Sequence, residues 1–501
     1  MTGIVAGVTT TPLLGLAALG RLPAQCRPLI RPGDVPAGIV HLGLGAFHRA
    51  HQAVYTEEAI AAGGGDWGIV GVAPRSAAII ADLTAQDRLF SVTTMSGASA
   101  GTRVVGALAG LRHAAADPGA VVALLADPAI RVVTLTVTEK GYRLDPATGQ
   151  LTVDAELLAD LTTARAPATV PGMLLRGLLA RHRADAGPLA VVSCDNLPSN
   201  GRRLHGLVDQ ARALVPGPTG AFGDWLRDSV TFPGTMVDRI VPASTPETLA
   251  RAAAALGARD LAAVHGEPYR QWVIEDRFPG GRPAWELAGA VLTDDAGPWE
   301  RLKLRTLNGV HSAIAYLGAV AGRETIAAAL EIPGMRAAMA RFVAEDVAGS
   351  LRPPPGVSVV GYGDSVLDRF ADPAIAHRTR QVAMDGTQKL PQRVLHTIAD
   401  RRAAGAVPRW AALVVAAWMR YAQGVADDGR ALPLDDPLAD EIRERLAAAG
   451  PAPARVAEAL FGLDAVFPAG LAADDTLRAL VVDWLTELDR HGVEATLAGV
   501  A

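Results

Sequence analysis

The chain contains very little cysteine. Only Cys26 and Cys194 occur among its 501 residues. Two cysteines exclude a disulfide framework, and they indicate a reducing compartment. The apolar N-terminal stretch is not preceded by the basic segment with which a secretory signal begins. The sequence therefore predicts a cytoplasmic protein.

Metal-binding motifs are also missing. The sequence has no CxxC and no HExxH pattern, which are the usual arrangements of structural and catalytic zinc ligands. His48 and His51 are three residues apart, but no cysteine or acidic residue accompanies them at metal-ligand spacing. We expect no metal site.

Neither a long apolar run nor a strong charge of one sign is present. The run WAALVVAAWM is about half as long as a membrane span requires. With 47 basic and 52 acidic residues the net charge is −5, so no overall field favours nucleic acid. We expect a small-molecule ligand, no membrane or nucleic-acid partner, and a monomer or small homo-oligomer.

The residues that are present indicate a folded protein of two domains, since half are apolar and the chain is too long for one ordinary core. Apolar strand patterns alternate with helical ones from Gly38 onward, which predicts an α/β fold with a doubly wound, Rossmann-type parallel sheet. The later sequence has helical periodicity, which predicts a mainly α-helical C-terminal domain. The predicted boundaries are a leader packed on the body over 1–37, a dinucleotide-binding domain over 38–283 and a helical domain over 284–501. The predicted strands are GIVHLGLGAF, WGIVGVA, RLFSVTTM, IRVVTLTVT, LAVVSCD and VTFPGTMVD.

A glycine-rich turn follows the first predicted strand. Gly43 and Gly45 permit a tight turn in which backbone N–H groups approach a pyrophosphate, with Ala46 and Phe47 opening the next helix. His48 stands where the usual fingerprint has its third glycine. The acidic residue expected after the second strand, which would bind the adenosine ribose, is missing. Arg75 is found there and could accept a 2′-phosphate, so the turn predicts NAD without excluding NADP.

Four polar residues of one predicted helix form a candidate catalytic group. At 100° per residue Glu300, Lys303, Asn308 and His311 lie at about 0°, −60°, 80° and 20°, an arc of roughly 140° that also carries leucines. Polar groups on an apolar face are costly unless they are paired or functional. A buried lysine loses its charge more readily, which suits proton transfer near neutral pH, and an asparagine can donate to a developing alkoxide.

Several longer segments, spread over most of the chain, form a recognisable set: IVHLGLGAFHRAHQAVYT, TLTVTEKGY, VSCDNLPSNG, TFPGTMVDRIVPA, EPYRQWVIEDRFPGGRPAWE, KLRTLNGVHS, HRTRQVAMDGTQKLPQR and AAWMRYAQGVADDGR. Together they resemble the mannitol dehydrogenase family of polyol-specific long-chain dehydrogenases, and within it the branch that reduces fructuronate to mannonate.

The resemblance implies a zinc-independent, NAD-dependent dehydrogenase of a secondary alcohol. It implies that Lys303 is the general acid/base and that Asn308 and His311 assist it. It implies that Glu300 passes protons between Lys303 and solvent. The other residues to which the resemblance assigns roles are Asn196 as a second oxyanion donor, Asp238 and Lys389 in the substrate pocket, and Arg49, Glu139 and Lys140 together with Gly43, Gly45, Ala46, Phe47 and His48 at the cofactor.

One departure bears on the substrate. Some mannitol dehydrogenases carry an arginine eight residues before the lysine that Lys389 matches, and Gln381 stands there in this chain. Arg378 is a nearby alternative cation, and Arg305 is a weaker one because it points away from Lys303. This favours a keto sugar acid over a polyol, with D-mannitol 2-dehydrogenation as the alternative. A dinucleotide-binding regulator and a sugar-binding protein without cofactor are alternatives outside the enzyme class.

Overall fold

The computed structural model describes residues 11–95, 101–145, 148–217, 219–375 and 377–500. The chain divides into two compact units, of which the first ends at Gly297 and the second begins at Pro298. The division lies beyond the predicted boundary at 283/284, because the intervening residues belong to the first unit. Trp285 is fully buried in the core of that unit, and the strand Val291–Thr293 pairs with Gln271–Glu275.

The first unit is built on a six-stranded parallel sheet, in which the strands lie side by side in the order Leu108–His113, Gly68–Ala73, Ala37–Leu42, Val132–Leu135, Leu189–Ser193 and Val230–Thr231. Counted along the chain within this sheet, the order is 3-2-1-4-5-6, which is that of a Rossmann fold. The prediction of a Rossmann-type sheet is confirmed. The strands are β1 Ala37–Leu42, β2 Gly68–Ala73, β3 Phe90–Thr94, β4 Gly101–Val105, β5 Leu108–His113, β6 Val132–Leu135, β7 Leu189–Ser193, β8 Val230–Thr231, β9 Thr235–Asp238, β10 Val264–Gly266, β11 Gln271–Glu275 and β12 Val291–Thr293.

Two predicted strands differ in the structure. The strand predicted at RLFSVTTM is β3, but it lies in a separate sheet with β4 and β10. The single strand predicted over 230–238 is two strands, β8 in the main sheet and β9 in a sheet with β11 and β12. Pro233 has no N–H to donate to a ladder and lies between them, so the chain leaves one sheet and enters another.

Both faces of the main sheet are covered, as a parallel sheet requires. Along β1, Val40 and Leu42 enter one apolar cluster, while Ile39 enters a second cluster on the other face. The helices that follow the strands supply the remaining surface of these clusters. The helices of the first unit are α1 Ala46–Ala50, α2 Gln52–Gly63, α3 Ala77–Ala85, α4 Pro118–Leu125, α5 Ala155–Thr162, α6 Val170–Arg183, α7 Asn200–Ala213, α8 Gly220–Ser229 and α9 Pro246–Leu256.

The leader packs against the first unit from residue 11 onward. Leu14, Leu22 and Cys26 form a small apolar cluster with residues of the body. The backbone N–H of Leu29 donates to the buried carboxyl group of Glu57 at 2.7 Å. These contacts attach the leader to the edge of the unit.

The second unit is helical, as predicted. Its central helix, Arg409–Ala422, is buried along nearly its whole length, which explains the apolar run in the sequence. Among the described residues, none of the helices is both long and apolar enough to cross a membrane. After α10 Gly297–Lys303, the helices are α11 Gly309–Val320, α12 Ile326–Leu330, α13 Met335–Arg341, α14 Val359–Phe370, α15 Thr379–Ala383, α16 Gly386–Leu390, α17 His396–Ala403, α18 Arg409–Ala422, α19 Ala439–Ala449, α20 Pro453–Phe461, α21 Ala469–Ala472 and α22 Asp475–Ala498, and the π-helical segments are Leu304–Asn308, Phe342–Val347 and Pro391–Leu395.

The two glycines after β1 have different structural roles. Gly43 has φ +105°, and a Cβ atom there would overlap the carbonyl oxygen of Thr136. Gly45 has φ −89°, and the nearest atom to its Cβ position is the carbonyl oxygen of Gly43 at 3.8 Å. The fold therefore requires glycine at position 43, whereas position 45 has room for a side-chain atom.

We expect Gly43→Ala to lower the free energy of unfolding by at least about 2 kcal/mol, because it adds left-handed strain to a steric overlap with backbone. Gly45→Ala is the matched control and should change it by less than about 1 kcal/mol. Urea unfolding followed by tryptophan fluorescence measures both. Equal destabilisation by the two variants would contradict this assignment.

Candidate active site

The turn after β1 is fixed to both neighbouring strands. Gly43 donates its N–H to the carbonyl oxygen of Val72 at 2.9 Å. Its own carbonyl oxygen accepts from the Thr136 hydroxyl at 2.8 Å and lies 2.9 Å from Nε2 of His41. The strands on either side, β2 and β6, are connected to β1 in opposite directions along the sheet. This is the topological switch point, where parallel sheets bind ligands.

Behind the turn, histidine rings fill the space between strand and helix. The rings of His41 and His48 are stacked with their centroids 3.4 Å apart. Burial lowers the pKa of His41 to about 3, and burial followed by the proximity of His41 holds the pKa of His48 well below its usual value. Both rings are therefore neutral at physiological pH. His48, which stands at the third fingerprint position, is an internal packing residue.

The other predicted residues of this turn make contacts with the body of the first unit or begin the next helix. Arg49 donates through Nε to the carbonyl oxygen of Gly45 at 3.3 Å and through a terminal nitrogen to that of Ala262. Arg49 thus holds the turn from inside. Phe47 stacks on His51 with a centroid separation of 5.0 Å. Ala46 begins α1 next to Gly45.

The carboxyl ends of β6 and β7 are tied together by a residue that the sequence did not single out. Asp195 accepts from the backbone N–H groups of Val137 at 3.0 Å and Thr138 at 2.9 Å, and from the Tyr142 hydroxyl at 2.6 Å. Burial raises the pKa of this carboxyl group. The next residue is Asn196, which is exposed. Glu139 and Lys140 are exposed in the short turn after β6.

Asp238 lies at the end of β9, opposite Gln271 of β11, and is 4% exposed. A buried amide joins this strand to β7. Asn200 donates to the carbonyl oxygen of Thr235 at 3.0 Å, and the Thr235 hydroxyl donates to the carbonyl oxygen of Ser193 at 2.6 Å. The structure therefore brings two strands together at one edge of the first unit: β7, which precedes Asn196, and β9, which contains Asp238.

In the second unit, Lys303 and Asn308 border a π-helical turn. The N–H of Gly309 donates to the carbonyl oxygen of Leu304, five residues earlier. The helical wheel assumed a regular α-helix and is wrong over these residues. In an α-helix residues five apart diverge by about 140°. The wider π turn brings Lys303 and Asn308 closer to one face, and such turns are frequent at functional sites. Both side chains are buried.

His311 lies in the middle of a stack of three rings. Its ring centroid is 4.4 Å from that of Phe370 and 5.3 Å from that of His377. Three buried nitrogen atoms of this region make no hydrogen bond to any part of the chain that the structure describes: Nδ2 of Asn308, Nε2 of His311 and Nδ1 of His377. Buried polar atoms without partners are rare in folded proteins, and a bound ligand is one of the partners that can satisfy them.

Positive charge surrounds this stack. Burial holds the pKa of His311 well below its usual value, and His377, Arg393, Lys389 and Arg369 lower it further, in that order. Lys389 donates to the carbonyl oxygens of Val382 and Met384, and Arg393 donates to the Ser312 hydroxyl at 2.9 Å. Sequence reasoning identified Lys389 but missed the two arginines and His377. A signal was available, because His377 and Arg393 are the first and last residues of the segment HRTRQVAMDGTQKLPQR.

The remaining predicted residues of the second unit lie elsewhere. Glu300 is half-buried on α10, one turn before Lys303. Arg305 forms an ion pair with Asp400 at 2.6 Å. Arg378 is exposed and lines a cavity of about 430 Å³ at the carboxyl end of α11, where Gly322 also lies. It is not among the cations that act most strongly on His311.

The histidines that invited a metal interpretation have other contacts. His48 stacks on His41, and Nε2 of His51 lies 3.0 Å from the carbonyl oxygen of Gln271. In the described part of the chain, no group of three or more His, Cys, Asp or Glu side chains is arranged to hold a metal ion.

Two family models match the chain. The model of the mannitol dehydrogenase Rossmann domain matches residues 37–287. The model of the mannitol dehydrogenase C-terminal domain matches residues 295–488.

Individual relatives agree with the family models over nearly the whole chain. The D-mannonate oxidoreductase of Escherichia coli is 38% identical, covering 94% of this chain and 98% of the relative. The mannitol 2-dehydrogenase of Cereibacter sphaeroides is 37% identical with the same coverage. A solved structure, the Pseudomonas fluorescens mannitol 2-dehydrogenase in a ternary complex with NAD and D-mannitol, is 34% identical, covers 97% of this chain and 99% of its own, and superposes with a TM-score of 0.83. The chain is an oxidoreductase that belongs to the mannitol dehydrogenase family.

Proposed function

We propose that the protein is an NAD-dependent, zinc-independent dehydrogenase that interconverts a keto sugar acid and its alcohol, D-fructuronate and D-mannonate in the first instance, with Lys303 as general acid/base. The observation that carries this proposal is the buried Lys303–Asn308 turn with unpaired polar atoms beside a cluster of cations. The buried free thiols of Cys26 and Cys194 support a cytoplasmic, reducing location.

The residues at the edge of β1 fit a dinucleotide. Apart from its chain neighbours, no atom of the described residues lies closer than 3.8 Å to the Cβ position of Gly45, and the turn lies at the switch point of the sheet, where a dinucleotide phosphate would bind. A nicotinamide dinucleotide bound there supplies or accepts the hydride. The NAD complex of the Pseudomonas fluorescens relative supports NAD as the cofactor. Arg75, which is exposed just after β2, is the reason for testing NADPH as well.

The side chains around Lys303 can manage the proton and the oxygen. In reduction, the Lys303 ammonium group donates a proton to the carbonyl oxygen, and in oxidation the neutral amine accepts it. The unpaired amide of Asn308 donates a hydrogen bond to the same oxygen as negative charge develops. Asn196 is proposed as a second amide donor, and Glu300 as the group that returns a proton to Lys303.

Electrostatics support a sugar acid as the substrate. Arg393, Lys389 and Arg369 all act on His311, and a carboxylate is stabilised by nearby cations. A polyol carries no charge and would gain hydrogen bonds from them but no ion pair. A polyol dehydrogenase is the second candidate, because the mannitol 2-dehydrogenase relative is nearly as similar as the D-mannonate oxidoreductase.

Lys303→Ala should lower kcat by about 10² to 10⁴, the usual contribution of a positioned general acid/base. The dissociation constant of NADH, measured by fluorescence titration, should be unchanged. Arg301→Ala removes an exposed cation from the same helix and serves as the control. Near-normal turnover by the Lys303 variant at pH 7 would exclude the lysine as the acid/base.

Turnover should survive prolonged dialysis against EDTA, since the chemistry assigned to Lys303 and Asn308 requires no metal ion. The measurement is steady-state activity before and after dialysis, with metal content determined on the same samples. Activity that is lost on dialysis and restored by zinc would overturn the metal-independent mechanism.

Substrate class is tested with a panel of fructuronate, tagaturonate, fructose and xylulose, each with NADH and with NADPH. We expect kcat/KM for fructuronate to exceed that for fructose by at least about tenfold, roughly 1.4 kcal/mol. Lys389→Met should shrink this ratio, whereas Arg380→Met, which removes an exposed cation from α15, should preserve it.

Equal or better turnover of fructose would assign the protein to the polyol dehydrogenases. Dinucleotide binding without turnover of any compound would favour a regulator. Sugar binding without dinucleotide binding would favour a sugar-binding protein.

A further inference from the structure

Among the three unpaired nitrogen atoms described above for the region of the ring stack, one has no role in the proposed mechanism. Asn308 and His311 belong to the group around Lys303, but His377 does not. Its Nδ1 is buried and has no hydrogen-bond partner among the described residues. Leaving such an atom unpaired costs about 1 to 3 kcal/mol of folding free energy. The contacts that fix the ring keep the atom in this unpaired position.

The position of His377 is fixed from two sides. Its carbonyl oxygen accepts from the N–H of Ile326 at 2.9 Å, and the N–H of Thr379 donates to the carbonyl oxygen of Glu324 at 3.0 Å. Its ring lies nearly parallel to that of His311, with an interplanar angle of 19°. The backbone contacts and the stack together determine where Nδ1 points.

The chemistry of the ring selects a type of ligand group. Burial lowers the pKa of His377, so the neutral imidazole has one nitrogen that donates and one that accepts. A hydroxyl group can both donate and accept, and it can therefore pair with Nδ1 in either tautomer. A carboxylate only accepts, and Arg393, Lys389 and Arg369 are better partners for it.

We propose that His377 is a substrate-binding residue, whose Nδ1 hydrogen-bonds to a non-reacting hydroxyl group of the sugar chain. His377 and His311 would then bind the polyhydroxyl chain with two adjacent imidazole rings. This proposal rests on the proposed function, since it concerns the substrate of that reaction.

The competing role is purely structural, with His377 serving only to hold His311 by stacking. Two substitutions separate the roles. His377→Phe keeps an aromatic ring in the stack but removes the nitrogen atoms. His377→Asn removes the ring but keeps a polar atom close to the position of Nδ1.

If Nδ1 binds substrate, His377→Phe should raise KM for the sugar acid about tenfold with kcat changed less than about twofold, because a contact to a non-reacting group is made equally in the ground and transition states. His377→Asn should keep KM within about threefold of the unmodified enzyme. A normal Phe variant with an impaired Asn variant would overturn the proposal and establish a stacking role. Loss of activity in both variants, with kcat falling and KM unchanged, would also overturn it.

A second pair covers the case in which the Phe variant does not fold. His377→Ala lacks both ring and nitrogen, so the Asn variant should bind the sugar acid about tenfold more tightly than the Ala variant. Equal KM values for Ala and Asn would overturn the proposal.

A binding measurement separates this proposal from the proposed function. Calorimetry with D-mannonate and NADH, which are both reduced and cannot react, gives the dissociation constant without turnover. Weaker binding to the Phe variant supports the role of His377 even if the unmodified protein proves inactive, and that inactivity would overturn the proposed function alone. An unmodified protein that neither turns over the panel nor binds D-mannonate would overturn both.

Discussion

The need to pair buried polar groups governs the construction of the candidate sites in both units. At the edge of the parallel sheet the backbone and carboxyl groups that fix the loops are paired. The carbonyl oxygen of Gly43 is held by His41 and Thr136, and the carboxyl group of Asp195 collects three donors. The result is a rigid edge whose loops are fixed relative to one another. Such an edge suits the binding of a large cofactor in one orientation.

The second unit leaves polar atoms unpaired at the corresponding functional region. Nδ2 of Asn308, Nε2 of His311 and Nδ1 of His377 are buried without a hydrogen-bond partner in the described chain. The packing of helices such as α11 and α18, which are buried along most of their length, offsets the free-energy cost of these unpaired atoms. Stability of the surrounding helices thus maintains atoms that a ligand can pair.

Much of this arrangement was predictable from the sequence, because the underlying signals are local. Apolar runs bounded by turns identified β1, β2, β6 and β7, and the glycine pair located the turn that follows β1. The change to helical periodicity separated the two domain types. The residues with predicted roles at the sheet edge, such as Asn196 and Lys140, come directly after strands, and carboxyl ends of parallel strands share one edge.

Other features depend on contacts that the linear pattern does not contain. The π turn after Lys303 is a change in backbone hydrogen bonding that the periodicity of side chains does not predict. An α-helical wheel therefore gave the wrong angle between Asn308 and Lys303. The turn lies against a second π-helical segment, Pro391–Leu395. A Cβ atom at Gly309 would lie 3.1 Å from the carbonyl oxygen of Arg393, so two irregular helical segments approach closely there. The roles of Asp195 and His41 are likewise visible only once the neighbouring strands are in place.

The charge distribution around the ring stack bears on how the proposed sugar-acid substrate would be selected. The cations near His311 can attract and orient a carboxylate, but they cannot distinguish one sugar acid from another of the same length. That distinction depends on the configuration of hydroxyl groups, which neutral donors and acceptors read best, because each mismatch leaves a buried group unpaired. Burial lowers the pKa of both His311 and His377, and the surrounding positive charge lowers that of His311 further, so the imidazoles are neutral. The same burial that makes these imidazoles weak bases would therefore suit them, in the proposed function, to recognising hydroxyl configuration, while Arg393, Lys389 and Arg369 would provide the charge.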